Sequence, residues 1–142
     1  MSLYLDTSAL VKLLVDEPGS DLARSAYAEA SGVRTTAIAY VEASSALARM
    51  RKGNRLSPAQ LRKALEALDT LWQDLYVHAV TAKVIQTAAQ AALDHALRAY
   101  DALHLAGALA FAEGEEIAFA CWDRELSEAA SKHSFALIPE QL

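Results

Sequence analysis

The chain is predicted to fold as a three-layer α/β/α sandwich around a mainly parallel sheet of roughly five strands. Two observations predict it. Five short apolar segments alternate with stretches whose apolar residues recur at helical spacing. Strands separated by helices pair in parallel through crossover connections. The 142 residues are 54 % hydrophobic and 22 % charged. That is enough for a sizeable core and too apolar for a disordered chain. One domain over residues 1–142 is expected, with no linker, repeat or low-complexity tract.

The strand candidates are Ser2–Leu5, Val33–Thr36, Leu75–Ala79, Ile117–Ala120 and Phe135–Ile138. Ala9, Leu10, Leu13 and Leu14 mark the apolar face of a first helix. Glu17-Pro18-Gly19-Ser20 ends it and offers Ser20 as N-cap of a second. Ala43, Ala46, Leu47 and Met50 give a third helix its face, over Ala37–Lys52. Ser57-Pro58-Ala59-Gln60 combines an N-cap, a proline at the first helical position and a capping-box glutamine, opening a fourth over Ser57–Gln73. An alanine-rich helix follows from about Thr81 to Leu97, and Gly53 and Gly114 stand where helix C-terminal glycines belong.

No apolar run approaches the ~18 residues that span a bilayer, and the N-terminus lacks the basic head and apolar body of a signal peptide. The lone cysteine, Cys121, offers no internal disulfide. A cytoplasmic protein without membrane attachment is expected. The net charge of -5 argues against a basic nucleic-acid scaffold. It leaves room for a nucleic-acid enzyme whose bound metal offsets its acids.

Four acids carry the chemical signal. Asp6 follows the first strand and Asp123 the fourth; Glu42 lies in the first turns of the third helix and Asp101 near the start of its own. Each is set among apolar or small residues, where a carboxylate is costly unless paired, hydrogen-bonded or bound to metal. Active sites of parallel sheets form outside the carboxyl ends of the strands. Gathered there, the four would suit a hard cation, Mg²⁺ or Mn²⁺, for phosphodiester chemistry. Taken singly, Asp6 and Asp123 also read as helix N-caps, and Asp101 as complementing a helix dipole; together they favour the site. Thr7 and Ser8 either cap the first helix or orient Asp6 and a phosphate. His104 reads as a packed or surface histidine rather than a ligand, and Trp122 as core more than as a base-stacking surface. Arg49, Arg51, Lys52 and Arg55, with Arg62 and Lys63 beyond, form a basic run that either ends a helix favourably or tracks an RNA backbone.

Three blocks, Asp6-Thr7-Ser8, Val41-Glu42-Ala43-Ser44-Ser45-Ala46-Leu47 and Tyr100-Asp101-Ala102-Leu103-His104-Leu105-Ala106, together with the weaker Asp123-Arg124-Glu125-Leu126, resemble the PIN-domain ribonucleases. The likeness is strongest to the VapC-type toxins of toxin–antitoxin pairs and covers nearly the whole chain. It implies a metal-dependent endoribonuclease acting on single-stranded RNA, with a small antitoxin partner. In that family the matching acids hold divalent metal. Asp6 and Asp101 are then expected as the main ligands, Glu42 as holder of a metal-bound water, and Asp123 as completing the shell or holding a second ion. It also implies a homodimer, to which Leu61, Leu65, Leu68 and Trp72 would contribute at helical spacing. The chain departs from the family at Cys121, where Ser or Thr is usual two residues before the fourth acid. Two other functions compete: a catalytically silent PIN-fold binding module, and a receiver-like phosphoacceptor domain. The second wants paired acids after the first strand and a lysine after the last; here Thr7-Ser8 and Pro139 stand instead.

Overall fold

A computed structural model describes all residues from 1 to 142. Five parallel strands form one sheet in the order β3-β2-β1-β4-β5. They are β1 Leu3–Leu5, β2 Val33–Thr36, β3 Tyr76–His78, β4 Ile117–Ala120 and β5 Phe135–Ile138. Seven helices connect them: α1 Thr7–Leu14, α2 Ser20–Glu29, α3 Ala39–Lys52, α4 Pro58–Asp74, α5 Ala82–His95, α6 Ala99–Ala112 and α7 Arg124–Ala130. No helix is long and apolar enough to cross a membrane.

The strand alternation builds two cores. Leu3, Leu5, Val33, Ala118 and Ala120 face α1, α3 and α4, whereas Tyr4, Ile117 and Phe119 face α5, α6 and α7. The central strands are apolar on both faces, as a sheet covered by helices on either side requires. The chain lays β2 and β3 on one side of β1 and then returns to place β4 and β5 on the other. The reversal leaves a crevice at the carboxyl ends of β1 and β4, where ligands bind in folds of this kind.

The strands β2, β4 and β5 occupy the predicted residues. The first loses Ser2, whose carbonyl still accepts from Ala118 N–H at 2.9 Å. The third is shorter at both ends because Leu75 caps α4, its N–H bonded to the Trp72 carbonyl, and turns inward. Ala37 is not helical: its N–H continues the β3 ladder to the His78 carbonyl. Ser57 and Gln60 form the reciprocal capping box.

Ser20 is not an N-cap. It is the first residue of α2, and Gly19 holds the cap position in the left-handed region at φ +94°. A Cβ on Gly19 would lie 2.6 Å from Trp122 Nε1, so the turn admits only glycine. The Ser20 hydroxyl instead accepts from Glu17 N–H and donates to the Val15 carbonyl, closing the same turn. Leu68 also departs from expectation. It is fully buried beneath α4 and unavailable to a partner, whereas Leu65 remains exposed.

Candidate active site

Asp6 leaves β1 as the N-cap of α1. Its Oδ1 accepts from Ala9 N–H at 2.9 Å and from the Ser8 hydroxyl at 2.6 Å. The capping reading and the site reading therefore coexist in one side chain. Asp6 is only 3 % exposed, and burial pushes its carboxyl above the usual range despite those donors and the nearby His104. Asp123 leaves β4 in the same way, capping α7 through Leu126 N–H at 2.9 Å. The two caps sit on adjacent strands at the crevice.

Asp101 is in the first turn of α6. Burial raises its carboxyl, and the charges of Asp123 and then Asp6 raise it further, while Arg98 opposes them. The fold thus brings Asp123 and Asp6 within electrostatic reach of Asp101. Arg98 Nη2 lies 3.5 Å from Asp101 Oδ2 and 3.4 Å from Asp123 Oδ2. No three acid, histidine or cysteine side chains stand at ready-made ligand spacing. The group is a loose set of oxygens around a crevice rather than a closed cage.

Glu42, in the first turn of α3, is engaged differently. Its Oε1 accepts from the Thr7 hydroxyl at 2.8 Å and pairs with His104 Nε2 at 2.7 Å. Burial alone would raise its carboxyl, but the hydrogen bond and charge of His104, with Thr7, bring it below the usual range. Thr7 therefore serves Glu42, and Ser8 serves Asp6.

His104 is the residue that sequence reasoning underrated. It is buried at 1 % exposure, which the packed reading anticipated, yet both ring nitrogens face the site's hydrogen-bond network. Nδ1 lies 2.9 Å from the Tyr4 hydroxyl, which in turn is 2.6 Å from Thr36 Oγ1. The signal available was a histidine one turn after Asp101 on a helix otherwise apolar, where an unpaired imidazole is costly. Arg98 was likewise overlooked, although an arginine three residues before an acid at a helix start is a natural partner.

Cys121 replaces a hydroxyl without leaving a gap. Its Sγ accepts from Asp123 N–H at 3.3 Å, and burial first, then the Asp6 charge, keeps the thiol protonated. Trp122 packs against the Lys12 side chain and Gly19 and belongs to the edge of the core. Beside the acids runs an open groove of about 680 Å³, lined by Thr7, Glu42 and Asp101 and by Arg49, Arg98 and Tyr100. Of the basic run, Arg49 alone is part of this lining.

A crevice at the point where the strand order reverses, edged by acids from two strand ends and two helices, defines the PIN class of α/β protein. The family model described as PIN domain matches residues 3–131, and the chain belongs to the PIN-domain family. Within it the chain groups with VapC-type members. Two curated relatives from strains of Mycobacterium tuberculosis, ribonuclease VapC45 and ribonuclease VapC49, are each 36 % identical over 139 residues, covering 98 % of this chain and 96 % of theirs. Among solved structures, FitAcB from Neisseria gonorrhoeae superposes with a TM-score of 0.69 at 19 % identity, over 95 % of both chains. That likeness is one of fold.

Proposed function

We propose that the protein is a divalent-metal-dependent endoribonuclease that cleaves single-stranded RNA, acting in the cytoplasm as the toxin of a toxin–antitoxin pair. One observation carries the reading: Asp101 and Asp123 lie close enough to share the Arg98 guanidinium, at 3.5 and 3.4 Å, beside the buried carboxylate of Asp6. Like charges repel and raise one another's pKa, so acids gathered around one exposed arginine make sense chiefly as a cation site. The donors are all carboxylate oxygens, which fits Mg²⁺ or Mn²⁺, ions that keep several waters and need few direct protein ligands. Asp6 and Asp101 would be the main ligands and Asp123 the third. When bound, the cation polarises the scissile phosphate and lowers the pKa of a water.

The chain's own residues supply the rest. Glu42 orients the attacking water through its free oxygen. Arg49 and Arg98 on the groove wall meet RNA phosphates. Tyr100, 54 % exposed at the groove, offers a ring on which an unpaired base can stack. The names of the Mycobacterium relatives support the ribonuclease activity. The whole chain would be one PIN-like domain working as a homodimer, with exposed Leu65 on α4 available to the partner copy. A small antitoxin protein completes the assembly.

The test uses purified protein and a single-stranded RNA. Cleavage should stop in EDTA and return with Mg²⁺ or Mn²⁺, and Asp101→Asn should abolish it with the fold intact by circular dichroism. Cleavage by Asp101→Asn in EDTA at the wild-type rate would sink the reading.

A further inference from the structure

We propose that His104 is a positioning residue that holds one oxygen of Glu42 and leaves the other to orient water. This rests on the ribonuclease reading above and assigns a role to a residue outside the acid set.

The geometry is specific. Glu42 Oε1 receives two partners, Thr7 Oγ1 at 2.8 Å and His104 Nε2 at 2.7 Å, which themselves approach to 3.1 Å. Oε2 makes no hydrogen bond to the protein. An ionised carboxylate only accepts, so Nε2 must carry a proton and donate. Thr7 donates as well, which commits Oε1 fully. Glu42 can then neither rotate freely nor offer both oxygens together to a cation. It presents a single oxygen, as the orientation of a water requires.

The ring is fixed from behind. Nδ1 meets the buried Tyr4 hydroxyl at 2.9 Å, and that hydroxyl meets Thr36 Oγ1 at 2.6 Å. Tyr4 is fully buried, stacked on Phe119, and set edge-on to the imidazole. A polar chain thus runs from β2 through β1 to α6 and ends on α3, with a partner for each hydroxyl and ring nitrogen along it. Gly107 supplies a second, independent sign that this chain is built in. It lies one turn beyond His104 on α6, and a Cβ there would come within 2.2 Å of Thr36 Oγ1 and 3.2 Å of the Tyr4 hydroxyl. The helix gives up a side chain at the place where these hydroxyls need the room. A purely apolar contact between α6 and the sheet would not require it.

The variants His104→Gln and His104→Asn separate positioning from packing. A glutamine amide reaches the Nε2 position and can still donate to Glu42; an asparagine amide reaches only the Nδ1 position. For His104→Asn, kcat should fall about 10- to 100-fold, the range for residues that orient a reacting group from behind. KM for RNA should stay within about twofold. His104→Gln should recover most of kcat. Glu42→Gln/His104→Asn should be no slower than Glu42→Gln alone. Urea unfolding of the metal-free variants reads the Glu42–His104 coupling without any activity. Wild-type kcat in His104→Asn, equal losses in the Asn and Gln variants that follow their unfolding midpoints, or additive losses in the double variant would each overturn the proposal. A wild-type protein that cuts no RNA with Mn²⁺ would overturn the ribonuclease reading and this role with it. The coupling in urea would then identify the chemistry, not the contact, as the error.

Discussion

Arg98 Nη2 stands between the carboxylates of Asp101 and Asp123, 3.5 Å from one and 3.4 Å from the other. One exposed side chain thereby supplies the counter-charge for two acids on different elements. Its own side chain is 75 % exposed, so solvent weakens the pairing, and such contacts contribute about 0–1 kcal/mol.

Arg98→Ala should therefore leave the fold nearly as stable and bind Mn²⁺ up to about fivefold tighter, because a competing positive charge is gone. Isothermal titration calorimetry reads this directly. A weaker Mn²⁺ affinity would mean that Arg98 arranges the acids rather than competing for them.

Asp6→Asn isolates the cost of a buried charge. Asparagine caps helices as well as aspartate does and can still accept from Ala9 N–H and Ser8. In the folded protein the Asp6 carboxyl lies above its ordinary value of 3.8, so the folded state holds the proton more tightly than the unfolded chain. Stability from this group is therefore greatest when it is protonated and declines as pH rises from 3.8 through the folded value. Asp101 contributes a slope of the same sign, and Glu42, lowered from 4.5, one of opposite sign confined below 4.5. In EDTA, the advantage of Asp6→Asn over wild type should grow as pH rises from 3.8 in urea unfolding. Adding Mn²⁺ should stabilise wild type and not the variant. A constant difference across that range would contradict the buried-charge account.

Gly107→Ala should destabilise the protein by about 1–3 kcal/mol. Helical glycine normally gains about 1 kcal/mol on replacement by alanine, so the sign discriminates. The new methyl would collide with Thr36 Oγ1 and crowd the Tyr4 hydroxyl. A raised melting temperature would show that α6 can shift away from the sheet at little cost.

Much of this architecture is legible in the sequence because its signals are local. Ile117–Ala120 is a continuous apolar run, and Ser57-Pro58-Ala59-Gln60 is a complete helix start; both form as expected. Asp6 and Asp123 were placed by the strands they follow, which fixes their edge of the sheet. What was not legible depends on residues distant in the chain. Ser20 lost its capping role to Gly19 because Trp122, about a hundred residues on, closes over the turn. His104 finds Glu42 and Tyr4 only after α3, β1 and α6 have assembled, and nothing in its own heptad names those partners. Leu68 shares its spacing with Leu65, and only the packing of α4 against the core separates the covered residue from the exposed one.

The Ser8 hydroxyl donates to Asp6 Oδ1 at 2.6 Å and accepts from Trp122 N–H at 2.8 Å. It thereby fastens the first turn of α1 to the segment that leaves β4 for Asp123. Opening either one breaks a hydrogen bond that Ser8 makes to the other. Amide protons remote in sequence, those of Ala9 and Trp122, should then exchange with similar rates in a hydrogen-exchange measurement. One hydroxyl group thus ties the two halves of the crevice together.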